Sequence, residues 1–198
     1  MSSDSLPQAL RRTVLTVAGL NLGYFFVEFT VALVIGSVAL FADSVDFLED
    51  TAVNLLILLA IGWSVKWRSY VGMVLAGLLL VPAAATLWTA WQKFASPVPP
   101  EPWLLSMTGL GALAVNLTCA LVLTKFRKHS GSLTRAAFLS ARNDAFANVA
   151  IVATGLLTTY WVSGWPDLVV GLAIAAVNAD AAKEVWEAAR EERRQADA

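Results

Sequence analysis

The sequence is poor in the residues that build disulfide frameworks and sulfur or imidazole metal sites. Of its 198 residues, one is a cysteine, one is a histidine and only 15% are charged. Cys119 is alone within an apolar run, which excludes a disulfide framework and a site made of several thiolates. The formal net charge of −1 does not distinguish between classes of protein. We expect no nucleic-acid partner.

Apolar residues are abundant instead. Hydrophobic residues make up 58% of the chain, eight are tryptophans, and the mean hydropathy is +0.65. This is more apolar surface than one soluble core can hide. A membrane-spanning helix needs about 20 mostly apolar residues. The chain divides into six such stretches, so the sequence predicts an all-α polytopic membrane protein with spans at residues 13–35, 38–63, 70–94, 104–124, 133–160 and 167–182.

These spans leave little chain outside the membrane. Residues 1–12 are polar and precede a full-length span, so they do not resemble a cleaved signal peptide. We expect an N-terminal cytoplasmic segment at residues 1–12, a six-helix transport domain at residues 13–182 and a charged cytoplasmic tail at residues 183–198. No room remains for a second folded domain.

Positive charges are concentrated at alternate connections between the spans. By the positive-inside rule, this distribution places both termini in the cytoplasm, which six spans satisfy and an odd number would not. We therefore expect a multi-pass protein of a prokaryotic plasma or inner membrane. The basic residues concerned are Arg11, Arg12, Lys66, Arg68, Lys125, Arg127, Lys128, Arg135, Lys183, Arg190, Arg193 and Arg194.

The second span, "SVALFADSVDFLEDTAVNLLILLAIGW", is interrupted by acidic residues. A carboxylate at the centre of a membrane helix costs on the order of 2.5 to 3.5 kcal/mol even on the lenient insertion scale. Asp43, Asp46 and Asp50 fall within a sector of about 60° on a helix, whereas Glu49 points away. Asp46 and Asp50 are separated by about 6 Å along the axis, so a divalent ion fits between their carboxylates.

The fifth span offers matching ligands. It contains "SARNDAFANVAIV", in which Ser140 and Asp144 repeat the four-residue spacing of Asp46 and Asp50. If the two helices face each other, the two pairs form a four-position pocket at the midplane of the membrane. The same acids are also compatible with neutral, hydrogen-bonded packing groups or with a pure proton relay.

Amides also recur within the spans. We expect most of them to form hydrogen bonds between helices, which is their commoner use in membranes. Asn54 and Asn148, each four residues beyond a proposed ligand, are also candidates to line a pathway. The amides concerned are Asn21, Asn54, Asn116, Asn148 and Asn178.

The residues quoted above resemble the cation diffusion facilitator, or cation efflux, family of divalent metal transporters. "NLGYFFVEFTVALVIGSVALFADSVDFLEDTAVNL" is similar to the first two spans of that family, "AVNL" around Asn116 to its fourth and "SARNDAFAN" to its fifth. The resemblance implies a tetrahedral zinc-type site formed by Asp46, Asp50, Ser140 and Asp144. Ser140 departs from the family pattern, which usually has His or Asp at that position.

The resemblance implies export of a divalent cation from the cytoplasm by alternating access with proton exchange. Metal and protons would compete for the same carboxylates, because binding requires the deprotonated forms. An all-oxygen ligand set favours manganese, iron(II), magnesium or cobalt, whereas family frequency and intrinsic affinity favour zinc. Zinc is our first choice of ion, with Mn²⁺, Fe²⁺, Co²⁺ and Cd²⁺ left open.

Two further expectations follow from departures from the family. Only "KEVWEAAREERRQADA" follows the sixth span, so the chain resembles a short member without the cytoplasmic C-terminal metal-binding domain. A homodimer would then form through the membrane helices. His129, in the loop before the fifth span, is interpreted as a solvated loop residue.

Three rival functions use the same sequence differently. A non-transporting membrane scaffold or subunit would have lost its fourth ligand at Ser140, and a proton channel would conduct without metal. An intramembrane hydrolase is disfavoured because no serine or cysteine has a plausible base beside it. We therefore expect that the protein is not an enzyme.

Overall fold

The computed structural model describes residues 5–60, 65–124 and 131–197. These residues form helices and no strand, which confirms the all-α prediction. In chain order the helices are α1 (Ser5–Ile35), α2 (Val38–Ala60), α3 (Val65–Ala95), α4 (Pro102–Thr124), α5 (Gly131–Tyr160) and α6 (Trp165–Asp197). Each predicted span falls within one of them, apart from residues 61–63, which lie outside the described part.

The outer helices extend beyond the predicted spans. α1 begins at Ser5, within the segment predicted to be cytoplasmic, and α6 continues to Asp197 through the charged tail. The tail is rich in alanine, glutamate and arginine, which are strong helix formers, so helical structure continues after the apolar residues end.

α2 is the central helix of the bundle. It contacts α1, α3, α4, α5 and α6, while the other contacting pairs are α4 with α5, α3 with α6, α1 with α4 and α5 with α6. Only Gly36 and Ser37 separate α1 from α2, so these two helices are antiparallel neighbours. The acidic helix is therefore the one most enclosed by the others.

The outer surface of the bundle is far more apolar than that of a water-soluble helical protein. Large apolar side chains cover the outside, among them Phe26, Leu33, Val34, Leu121 and Phe146, each more than half exposed. Beside an apolar core, the interior holds polar groups that are each at most 4% exposed: Asn21, Glu28, Asp43, Asn116, Asn148, Asp167 and Asn178. An apolar exterior with hydrogen-bonding groups inside suits a lipid environment.

Two of the described helices are long and apolar enough to cross a membrane by length and composition alone. They are residues Gln8–Ile35 and Pro102–Thr124, each with a mean hydropathy of 1.7, and most of each helix is not buried in the bundle. α2 is a weaker candidate by that measure because four carboxylates lie within residues 43–50. The count of six spans and their orientation stay predictions.

The turn between α1 and α2 fixes where α2 begins. Gly36 has a φ of 63°, and the N–H of Ser37 donates to the carbonyl of Ala32 at 3.0 Å, which is a Schellman-type helix end. Gly171 of α6 packs directly on the start of α2, since a Cβ there would lie 2.7 Å from the carbonyl carbon of Val38. The first turn of α2 is thus held closely against α6.

Asp167 connects three helices at this end of the bundle. Its buried carboxylate accepts hydrogen bonds from the Ser37 hydroxyl at 2.5 Å and from the backbone N–H groups of Val38 and Ala39 at 2.9 and 3.2 Å. The ammonium of Lys93, near the end of α3, lies 3.4 Å away. Asp167 therefore satisfies the first N–H groups of α2 from outside that helix and balances its own charge with Lys93.

Asp167→Ala should destabilise the protein by about 3 kcal/mol, because it leaves Lys93 without its buried partner and the first N–H groups of α2 without an acceptor. The free energy of unfolding in mixed detergent micelles measures this. Glu187→Ala is the control, since Glu187 belongs to an exposed pair with Lys183 at 4.0 Å and its loss should leave unfolding unchanged. Equal stability of the Asp167 variant and the wild type would contradict the assigned role.

Candidate metal centre

A cavity of about 500 Å³ lies between α2, α5 and α6. Two acidic residues line it, Asp46 from α2 and Asp144 from α5, and both are partly buried. The rest of the lining is mostly apolar, with one amide from α6: Phe146, Ala147, Ala150, Val170, Ala173, Ile174, Val177 and Asn178.

The two acidic residues reach the cavity from different helices. Asp144 lies near the middle of α5, and Asp46 lies in the first half of α2. Asp144 is close enough to Asp46 for their carboxyl groups to interact electrostatically, and so are Asp43, Glu49 and Asp50. Carboxylates from two helices at one cavity can bind a cation between them, because a divalent ion offsets their mutual repulsion.

Asp50 lies beside this cavity rather than among the residues that line it. One of its carboxylate oxygens accepts a hydrogen bond from the side-chain amide of Asn21 at 3.2 Å, which ties it to α1. Asn21 in turn accepts from the thiol of Cys119 of α4 at 3.5 Å. Asp50 is thus positioned one turn beyond Asp46 by contacts from α1.

The four-ligand site predicted from the sequence is only partly described. Asp46 and Asp144 share the cavity and Asp50 is adjacent, but the side chain of Ser140 lies outside the described part of the structure, as does His129. Within the described residues, no group of three or more Asp, Glu, His or Cys side chains is arranged to hold one ion. The assignment of all four residues as ligands therefore stays a prediction.

Asp43 occupies a different environment from Asp46. It is 0% exposed, and one of its oxygens accepts a hydrogen bond from the amide of Asn148 at 2.5 Å. The oxygen of Asn148 accepts from Asn116 of α4 at 3.0 Å. The predicted stripe of three carboxylates on α2 is therefore divided, with Asp46 at the cavity and Asp43 in a network with α4 and α5.

Most of the predicted hydrogen bonds of the amides between helices are confirmed. Asn178 donates to the carbonyl of Ala42 at 3.1 Å and so links α6 to α2. Asn54 is different, since its amide donates to the carbonyl of Asp50 in its own helix at 2.7 Å. The helix-to-helix bonds are made by Asn21, Asn116, Asn148 and Asn178.

α6 lines part of the cavity, which the sequence did not predict. Asn178 lines the cavity, and the small side chain of Ala173 leaves space there. The sequence shows Asn178 as an amide within an apolar span. Such an amide predicts a hydrogen bond, but it does not predict which helix provides the partner. The cavity is therefore formed by three helices rather than by two.

The chain belongs to the cation efflux family. The family model for the cation efflux transmembrane domain matches residues 14–191, nearly the whole chain. The match confirms the family resemblance of the sequence and includes all the helices that form the cavity. Proteins of this family reside in membranes and transport ions.

Two curated relatives are the zinc transporter ZitB of Escherichia coli K12 and the zinc transporter ZitB of Shigella flexneri. Each is 26% identical to this chain over 178 residues, an alignment that covers 83% of this chain and 56% of the relative. The chain thus spans about half the length of the curated relatives it matches.

Asn148→Ala should destabilise the protein by about 2 kcal/mol, because it removes the N–H donor of a buried carboxylate and the acceptor of Asn116. Unfolding in mixed micelles again provides the measurement. Asn54→Ala is the matched control, because it removes one bond to a carbonyl of the same helix, and it should change stability by less than about 1 kcal/mol. If both variants lose the same stability, the Asn148 network does not have the proposed importance.

Proposed function

We propose that the protein exports a divalent metal cation from the cytoplasm by exchange with protons. The observation that carries this proposal is the pair Asp46 and Asp144, brought by two helices to one cavity inside the bundle. The membership of the cation efflux family supports it independently. Both facts concern the same helices, since α2 and α5 lie within the matched residues.

The chemistry of the cavity favours a cation of charge +2. Two facing carboxylates in a largely apolar cavity repel each other, and a divalent ion converts that repulsion into two favourable contacts. Asp50 lies one turn from Asp46 and Ser140 one turn from Asp144 along the sequence, which supports the proposal that both complete the coordination after a small movement of their helices. We assign the metal-ligand roles to Asp46, Asp50, Ser140 and Asp144.

Zinc is the first choice of transported ion. The relatives described as zinc transporters favour it, and so does the high affinity of zinc among the first-row divalent metals for most ligand sets. The all-oxygen character of the proposed ligands keeps Mn²⁺, Fe²⁺, Co²⁺ and Cd²⁺ as alternatives.

The transport cycle rests on competition between the metal and protons. A carboxylate must be deprotonated to bind the ion, so protons arriving from the outer side displace it. We propose six spans with both ends in the cytoplasm, assembled as a homodimer through membrane helices. Rocking of helix groups about the cavity would expose it to each side in turn.

A non-transporting membrane scaffold is the second candidate. It is favoured by the finding that no three metal-binding side chains among the described residues are arranged around one ion. Calorimetry on the purified protein separates the two candidates. Binding stronger than millimolar for at least one of zinc, manganese, cobalt and cadmium supports the transporter, and the absence of such binding for all four supports the scaffold.

Asp46→Ala, Asp50→Ala and Asp144→Ala should each abolish metal movement driven by a pH gradient, because each removes a negative charge that the ion needs. The assay is zinc flux into proteoliposomes that contain a zinc-sensitive dye. Glu101→Gln is the control, since Glu101 is exposed, lies outside the cavity and accepts hydrogen bonds from the first N–H groups of α4, at 3.1 Å for Trp103.

The control variant should transport zinc at the wild-type rate. Each alanine variant must first elute as a single species and retain its helical circular dichroism, so that a loss of flux is not a loss of fold. Full zinc flux in the Asp46 or the Asp144 variant would remove the cavity as the site.

A further inference from the structure

A second pair of acidic residues lies outside the cavity, between α1 and α2. Glu28 and Asp43 are both 0% exposed. Their carboxyl groups lie within hydrogen-bonding reach of each other. Neither residue is among those that line the cavity of Asp46 and Asp144.

Three of the four oxygens of this pair lack donors among the described residues. They are both carboxyl oxygens of Glu28 and one of Asp43, and the second oxygen of Asp43 accepts a hydrogen bond from Asn148. Neither residue forms a salt bridge with any described residue. Buried carboxylate oxygens without donors are energetically costly, so something must compensate them.

The groups that face the pair provide no positive charge in the described part of the chain. Tyr24 of α1 is near both carboxyls, but its hydroxyl already donates to the carbonyl of Thr108 at 2.6 Å. The other acids of α2 are also near, since Asp46 is within electrostatic range of Glu28 and Asp50 within that of Asp43. The facing groups of α5 and α4 are the amides Asn148 and Asn116. Ionisation of both carboxyls would therefore place like charges side by side among further acids.

A proton fits this environment better than a metal ion. A proton on one carboxyl becomes an O–H donor to the other and satisfies both groups at once, as in other carboxyl pairs that share a site. A metal ion needs several oxygen ligands, yet Asn148 presents its N–H to Asp43 while its oxygen is occupied by Asn116.

We propose that Glu28 and Asp43 form a proton-binding site, separate from the metal cavity, that holds one shared proton. The site exists whether or not the protein transports metal. Only its use in proton exchange rests on the proposed function. It lies on the side of Asp46 nearer the α1–α2 turn, because Asp43 precedes Asp46 by about one helical turn in α2.

Infrared spectroscopy of the reconstituted, chelator-treated protein at neutral pH tests the site directly. The C=O stretch of a protonated carboxyl group is resolved from the bands of carboxylates and amides. The difference spectrum of wild type minus Glu28→Gln should show the loss of one carboxylic-acid equivalent per chain. Glu101→Gln, the same substitution at an exposed position, should show no such loss.

Two further variants give the test its specificity. Asp43→Asn should shift or remove the same band, because the proton loses its second carboxyl partner. If Glu28→Gln does not fold, the Asp43 variant alone provides the test. The double variant Asp46→Asn with Asp144→Asn should retain the band.

Three results would overturn the inference: no change in the carboxylic-acid region for Glu28→Gln, no change for Asp43→Asn, or loss of the band in the double variant. The last of these would assign the proton to the metal cavity. None of these measurements uses metal, so failed transport would leave the result on this site intact.

Discussion

Buried negative charge on α2 is the constraint around which the bundle is arranged. Four carboxyl groups lie within residues 43–50 of one helix, and such groups are tolerated inside a membrane protein only when they face the interior and find partners there. α2 accordingly contacts all the other helices. Its neighbours give three of these acids different surroundings: Asn148 for Asp43, Asn21 for Asp50, and for Asp46 a cavity shared with Asp144.

Asp167 shows what a fully compensated carboxylate looks like in the same molecule. It is as deeply buried as Asp43, but it has a hydroxyl, two backbone N–H groups and the ammonium of Lys93 as partners. Because these partners already balance the charge of Asp167, no mobile cation is required, and the residue can serve a permanent structural role. Glu28 is the opposite case, since the described part of the chain offers it no donor other than a protonated Asp43. The contrast separates the acidic residues that hold the bundle together from those available for ions or protons.

The sequence predicts the helices well because the apolar lengths and the positions of Gly36 and the loops are local signals. The i, i+4 spacing within each helix suggested a pocket shared by α2 and α5, and Asp46 and Asp144 do line one cavity, whereas the four-ligand set stays a prediction. The residue spacing within one helix does not reveal which neighbouring helix packs on each part of its surface. The sequence therefore did not predict that Asp43 and Asp46 have different surroundings. It also did not predict that α6 lines the cavity. The hydrogen bond between helices that was expected of Asn54 is not found among the described residues, because its side-chain N–H donates to the carbonyl four residues earlier in its own helix.

The most direct test of the central claim, that carboxylates from facing helices bind the metal, is zinc-edge X-ray absorption on purified protein without a histidine tag. The account predicts a first shell of oxygen atoms alone at about 2.0–2.2 Å, since the single histidine and the single cysteine are not proposed ligands. Asp46→Ala should remove the bound zinc. A shell containing sulfur or imidazole nitrogen, or zinc binding that is unchanged in the variant, would contradict the account.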